Sequence, residues 1–156
     1  EAYDNSTVRA SAYVAIHLWS ARVNVSGGVI IDLTQLNCHN IGDWVDYTGT
    51  TQDGDTLTVY KAVDDEWFAG HNYVKTAYKP DTTVTAPDWC DNNNCGGGLH
   101  LCPTPAQARN HFPEATRFVE CRVNVADVRT IDWTILKART VECVREVDIH
   151  GQAVAS

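Results

Sequence analysis

The sequence predicts a mainly β fold of the α+β class, with N-terminal coils like those of a β-solenoid or β-roll and a mostly antiparallel β head. Short valine-centred motifs recur within the first 34 residues. Further along, Thr56–Val63 and Thr140–Val147 alternate apolar and polar residues, as strands with one buried face do. One capping signal near residue 104 indicates a single short helix over about 105–112.

The N-terminal motif has six positions: a small polar residue, two variable residues, a valine, any residue and an apolar residue. It begins at Asn5, Ser11, Ser20 and Ser26. The first and third copies start fifteen residues apart, and so do the second and fourth. Strands that recur at a fixed interval are typical of a solenoid, in which each coil buries its face against the next. Two ordinary hairpins are the alternative.

The solenoid interpretation makes a specific prediction about burial. We expect the valine of each copy to face inward, and these residues are Val8, Val14, Val23 and Val29. Because the chain does not begin with methionine, we also expect the coils of residues 1–34 to be the last of a longer stalk.

The rest of the chain is expected to form a linker and a head. Residues 35–56 are rich in Gly, Asp, Asn and Thr and poor in apolar residues, which is typical of a linker and turn region. The α+β head then spans residues 57–156. Two of its strands, predicted over 117–125 and 140–147, share the tripeptide Val-Glu-Cys. In the first, Cys121 and Glu120 should point to opposite faces, of which one is core and the other is solvent-exposed or paired.

The helix prediction depends on local sequence signals at three residues. Thr104 can cap the N-terminus, Pro105 has the backbone angle favoured at the first helical position, and Gln107 completes a capping box. Pro113 should end the helix.

Composition limits the partners. Twelve Lys and Arg against twenty Asp and Glu give a net charge of −8, which opposes binding to nucleic acid. No apolar run approaches the roughly 20 residues that cross a bilayer. We therefore expect a soluble chain whose partner is a protein or a small ligand. A homo-oligomer is also possible at this stage. We expect the chain to bind neither nucleic acid nor a membrane.

The stretch from 95 to 105, CGGGLHLCPTP, raises the question of a metal site. Cys90, Cys95, His100 and Cys102 carry zinc-type ligand atoms within thirteen residues. A disulfide among the three cysteines is an alternative, and free, partly buried thiols are the state we favour. The glycines could cradle an anion, but no Gly-Lys-Ser/Thr follows them, so we expect a turn.

Four stretches carry a family resemblance over nearly the whole chain: TVYKAV, TVTAPDWCDNNNCGGGLHLCPTPAQARNHF, RFVECRV and KARTVECVREVDIHG. They resemble an uncharacterised domain family of actinobacteria and their phages, with a GLHLCPTP-type motif often placed behind short N-terminal coils. The resemblance implies a phage-encoded accessory or virion-associated protein, located in the virion or the host cytoplasm. It implies no reaction.

A fainter similarity is to the ADP-ribosyltransferase superfamily. Tyr60 with Lys61, then Gly98 through Ala108, then Glu120 follow the order of that superfamily's motifs, although Lys61 stands where arginine is usual. This similarity implies an NAD-binding enzyme whose catalytic residues would be Tyr60, His100 and Glu120.

Our leading interpretation is a non-catalytic structural or binding module. Its ligand is expected in a cleft lined by Tyr60, His100 and the solvent-facing side of the Glu120 strand, because polar groups from several segments would meet there. The NAD-binding enzyme and a small zinc-stabilised interaction domain are the two alternatives.

Overall fold

The computed structural model of the chain describes residues 5–70 and 74–154. The chain divides into two compact units, Glu1–Asn37 and Cys38–Ser156. Both are built mainly of short strands, and the described residues contain two short α-helices where the sequence predicted one. None of the helices in this part of the chain is long and apolar enough to span a membrane.

Residues 5–37 of the N-terminal unit form four strands in two parallel pairs. The strands are β1 (Thr7–Arg9), β2 (Ala15–Leu18), β3 (Asn24–Ser26) and β4 (Val29–Asp32). β1 pairs with β3, which places Val8 beside Val25, and β2 pairs with β4, which places Ile16 beside Ile30. Strands of a hairpin run antiparallel, so neither pair is a hairpin. Partner residues lie 17 positions apart in the β1–β3 pair and 14 positions apart in the β2–β4 pair. Neither separation equals the fifteen-residue interval of the sequence repeat.

The predicted inward valines are not all inward. Val14 is 44% exposed and Val29 is 59% exposed, while Val8 and Val23 are partly buried. Two facts account for the exposed valines: Val14 lies outside β2, and all four residues of β4, Val29 included, are exposed. The structure pairs Ile16 with Ile30 and leaves Val14 just before β2.

In the described part of the second unit, the chain forms ten strands, two α-helices and a 3₁₀ turn at Val125–Asp127. The strands are β5 (Gln52–Asp53), β6 (Thr56–Val63), β7 (Phe68–Ala69), β8 (Thr76–Ala77), β9 (Thr82–Thr85), β10 (Leu99–Leu101), β11 (Arg117–Asn124), β12 (Val128–Asp132), β13 (Ile135–Ala138) and β14 (Thr140–Val147); the helices are α1 (Ile41–Thr48) and α2 (Pro105–His111). The strands predicted over 56–63 and 140–147 are confirmed at their full length.

Antiparallel pairing organises this unit into one five-stranded and one three-stranded sheet, with a small β7–β8 pair beside them. The larger sheet has the order β5-β6-β11-β14-β9 and the smaller has the order β10-β13-β12. Tyr60 of β6 and Cys102, which follows β10, exchange backbone hydrogen bonds of 2.8 and 3.0 Å. This bridge joins the two sheets at β6.

α1 lies in the segment that was expected to be a linker. The Asn40 side chain caps its N-terminus by accepting from the Asp43 N–H at 3.1 Å, and Gly49 ends it in a left-handed conformation. Trp44 is fully buried, and its Nε1 donates to the Asp132 carbonyl at 2.8 Å. The segment predicted to be a linker therefore supplies the largest fully buried side chain among the described residues.

Two apolar clusters lie on opposite faces of the five-stranded sheet. The main cluster joins that sheet's core-facing residues to Trp44 and to the smaller sheet; its central members are Leu57, Val59, Val119, Val141 and Leu136. On the other face, α2 covers a smaller cluster formed by Ala62, Cys102, Ala108, Phe118 and Val147.

The start of α2 agrees with the capping prediction. Thr104 Oγ1 accepts from the Gln107 N–H at 3.2 Å and also lies 3.2 Å from the Gln107 side-chain oxygen. Pro105 occupies the first turn, and the last helical residue is His111.

Candidate functional site

A cleft of about 360 Å³ opens where four segments of the second unit meet. These segments are the end of α1 with the turn after it, β6, the start of α2, and the chain around residue 150. Its lining includes Thr51, Thr58, Tyr60, Thr104, Ile149 and Gly151.

Strand alternation explains why β6 turns two polar side chains toward this cleft. Leu57 and Val59 are fully buried in the main core, so the residues between and after them, Thr58 and Tyr60, face the other side of the sheet. The Thr58 N–H donates to the Thr51 carbonyl at 2.9 Å, which brings the turn after α1 alongside β6.

Three of the cleft hydroxyls are available to a ligand. The hydroxyl of Thr104 is engaged in capping α2. By contrast, the side-chain hydroxyls of Thr51, Thr58 and Tyr60 make no hydrogen bond with any described residue. Burial, together with the nearby Glu120 carboxylate, raises the pKa of Tyr60. The phenol therefore keeps its proton near neutral pH and can both donate and accept.

Glu120 lies directly opposite Tyr60 on the neighbouring strand β11, so the structure brings these two predicted site residues together. Contrary to the prediction of a solvent-facing position, Glu120 is only 6% exposed. Its carboxylate accepts from Arg145 Nη2 at 2.8 Å and from Nε at 3.1 Å. The lining of the cleft includes Tyr60 but, within the described chain, not Glu120.

His100 does not join the cleft lining either. As expected, it alternates with the buried Leu99 and Leu101, and its Nε2 accepts from the Gly96 N–H at 3.4 Å. Burial, with a smaller contribution from the Lys61 and Lys137 ammonium groups, lowers the pKa of His100 to about 4. The imidazole is consequently neutral at neutral pH.

The cysteines are free thiols in very different surroundings. Cys90 and Cys95 are exposed, whereas Cys102 is buried beneath α2, and burial raises its pKa to about 12. Across the described ranges, no group of three or more His, Cys, Asp or Glu side chains is arranged to hold a metal ion.

Residues 57–155 match the model of one protein family, described as Domain of unknown function (DUF7666). The chain belongs to this family. No curated protein and no solved structure matches the chain. The DUF7666 match includes Tyr60, His100 and Glu120, and the α1 helix with Thr51 lies before it.

A buried lysine of the DUF7666 domain was missed by sequence reasoning. Lys137 is fully buried on β13, where its Nζ donates to Asn92 Oδ1 at 3.0 Å and to the Asn94 and Gly96 carbonyls at 2.9 Å each. The ammonium thus holds the loop before β10. The run of asparagines and glycines supplies many oxygen acceptors without bulk, but nothing in the sequence assigns a donor to them.

The three glycines of this loop form the turn that the sequence predicts. Gly96, Gly97 and Gly98 all have positive φ angles, of 99°, 56° and 140°. A Cβ at Gly97 would lie 2.7 Å from the Cys90 Cβ and 2.8 Å from the Asp88 carbonyl oxygen. Glycine is required there by close approach as well as by backbone conformation.

Proposed function

We propose that the DUF7666 domain is a non-catalytic binding module whose ligand occupies the cleft around Tyr60. The observation that carries this proposal is the convergence on one concave site of three hydroxyls, those of Thr51, Thr58 and Tyr60, that have no hydrogen-bond partner among the described residues. Polar groups without protein partners at a concave site are what a ligand uses for orientation.

The ionisable groups near the predicted site support a binding role over a catalytic one. Glu120 is held by Arg145, and Lys137 is held by three oxygen acceptors. His100 contacts the glycine loop. A general acid or base must reach a reacting atom in the site, and these three groups instead hold the fold together.

We further propose that the N-terminal unit is a piece of a β-solenoid stalk that carries the binding module. Its two parallel strand pairs support this, because each pair joins strands separated by a crossover that contains another strand. Through the resemblance of the sequence to a phage-associated family, we propose that the protein is a phage-encoded accessory or virion-associated protein.

The binding role can be tested by NMR titration of the ¹⁵N-labelled full chain. The probes would be a set of small uncharged, anionic and cationic compounds, with NAD among them. We expect shifts of the amides of Thr51, Thr58 and Gly151. A second surface cleft, lined in part by Thr83 and Glu142, serves as the internal control and should not respond.

The enzyme alternative receives its own measurement. Chromatography of NAD incubated with the protein would reveal released nicotinamide. Release that disappears in Glu120→Gln, with the ADP-ribose recovered either free after attack by water or attached to an acceptor, would establish NAD cleavage and overturn the non-catalytic proposal; attachment to an acceptor would show ADP-ribosyl transfer. If no probe shifts the cleft amides, the cleft is not a binding site.

A further inference from the structure

The charge of the cleft around Tyr60 narrows the class of ligand. No Asp, Glu, Lys or Arg is among the described residues that line it, and His150 is the only imidazole there. A phosphate or carboxylate ligand is normally met by Arg or Lys, and a cation by carboxylates. The chain as a whole also carries a net charge of −8, which repels anions. An uncharged ligand fits these surroundings.

The hydroxyls narrow the class further. Each hydroxyl of Thr51, Thr58 and Tyr60 has one proton to donate and lone pairs to accept, and none is engaged within the described chain. A ligand that matches three such groups carries several groups able both to donate and to accept. Neighbouring hydroxyls on a carbon ring meet that requirement.

Apolar surface lies beside these hydroxyls. Pro103, Ile149 and the Tyr60 ring line the same cleft. They can contact the C–H faces that a sugar ring presents between its hydroxyls, since a ligand site combines mostly apolar walls with a few placed polar groups. The cleft volume of about 360 Å³ lies near the lower end of the usual range for small-molecule sites.

A glycine maintains access to the phenol. Gly151 has a φ of 80°, and a Cβ added to it would lie 3.4 Å from the Tyr60 hydroxyl oxygen. A larger side chain at this position would cover the hydroxyl, and the backbone conformation would also be strained.

We infer that the cleft binds an uncharged saccharide, with Thr58 and Tyr60 as its central hydrogen-bonding residues. This inference rests on the proposed binding function and adds the chemical class of the ligand. Thr51 contributes from the turn after α1, so the site extends beyond residues 57–155 that match the family model.

The test is a titration of the ¹⁵N-labelled full chain with a fixed panel. The neutral sugars are glucose, galactose, mannose, N-acetylglucosamine and their β-linked disaccharides. Glucuronic acid and glucosamine are the charged counterparts of the neutral sugars, one anionic and one cationic. Inorganic phosphate is an anionic probe without a sugar ring. We expect a neutral sugar to shift the Thr51, Thr58 and Gly151 amides, and the charged probes to bind more weakly or not at all.

Variants that remove one hydroxyl while keeping the shape of the side chain then show whether the sugar binds in this cleft. Thr58→Val and Tyr60→Phe should each weaken binding about 3-fold to 10-fold, as expected for one lost hydrogen bond. Thr83→Val, in the control cleft, should bind like the original protein. Amide spectra of each variant report whether it remains folded.

The possible outcomes separate the two proposals. Cleft shifts produced only by the charged probes would keep the binding module and overturn the uncharged-saccharide class. Sugar binding that is unchanged in both Thr58→Val and Tyr60→Phe would also overturn it. A cleft that responds to no probe would overturn both proposals together.

Discussion

Arg145 directs two guanidinium nitrogens, Nη2 at 2.8 Å and Nε at 3.1 Å, at a single carboxylate oxygen of Glu120. The two partners differ in exposure, since the Arg145 side chain is 56% exposed and that of Glu120 is 8% exposed. A half-solvated cation thus neutralises a buried anion between β11 and β14. Such a pair is sensitive to loss of one partner, because the remaining carboxylate stays desolvated.

Arg145→Met should lower the free energy of unfolding by about 1–3 kcal/mol, the usual cost of leaving a buried hydrogen-bonding group without its charged partner. Urea denaturation at neutral pH measures the change. Combining it with Glu120→Gln should recover part of the loss. The surface pair of Arg117 and Glu146 provides a control, and Glu146→Gln should cost less than about 1 kcal/mol. Equal losses in the two pairs would show that burial of Glu120 adds nothing.

Thr104→Ala should destabilise the domain by about 0.5–2 kcal/mol through loss of the α2 cap. Thr104→Ser keeps the hydroxyl and should cost much less. The midpoints of chemical denaturation compare the two variants. If serine and alanine have the same effect, the hydroxyl is not the stabilising group.

Lys137→Met keeps the length of the side chain and removes the ammonium that binds the loop before β10. We expect a loss of about 1–3 kcal/mol, since the oxygen acceptors lose a charged donor. Hydrogen exchange measured by mass spectrometry should also accelerate in peptides covering residues 88–98. The exposed Lys79 offers a control, and Lys79→Met should stay within about 0.5 kcal/mol of the original protein. Unchanged exchange in Lys137→Met would contradict the proposed role of this ammonium.

His100 should make stability depend on pH. Its pKa is lowered from the ordinary 6.5 to about 4, so the unfolded chain binds the proton more readily than the folded chain does. The contribution of the neutral imidazole is complete above pH 6.5 and is lost as the pH falls from there toward 4. Denaturation midpoints measured between pH 7 and 5 should fall less steeply in His100→Gln than in the original protein. His150 is an exposed histidine and serves as the control. If His150→Gln reduces the pH dependence of the midpoint as much as His100→Gln does, the effect is not specific to His100.

Trp44→Ala should destabilise the second unit by about 3–5 kcal/mol, because it leaves a large cavity and removes the hydrogen bond to the Asp132 carbonyl. Asp46→Ala, an exposed change on the same helix, serves as the control and should have little effect. Thermal or urea unfolding distinguishes them. A small loss in Trp44→Ala would mean that α1 folds apart from the sheet.

Sequence reasoning succeeded where a signal is local. Alternation alone located Thr56–Val63 and Thr140–Val147, because each strand has one buried and one polar face. It failed at α1, whose Gly, Asp and Thr residues read as turn chemistry. That helix is held by burial of Trp44 against the β12–β13 hairpin, about ninety residues later in the chain.

The candidate site shows the same division. The sequence identified Tyr60 and Glu120, and strand pairing does place them opposite each other. It could not show that Glu120 would be buried and paired with Arg145. Nor could it show that the His100 ring would accept a hydrogen bond from the glycine loop. Thr51 and Gly151 carried no signal of their own, because their part in the cleft depends on contacts with β6.

By itself the sequence determined the features whose causes lie within a few residues: the alternation of the long strands, the Thr104 cap and the glycine turn before β10. The tertiary structure alone decided which polar groups are buried, how the N-terminal strands pair, and where a cleft opens. Local features follow from side-chain chemistry and backbone sterics at neighbouring positions. Burial and pairing depend on segments far apart in the chain, such as Lys137 with residues 92–96, and no local pattern records those partners.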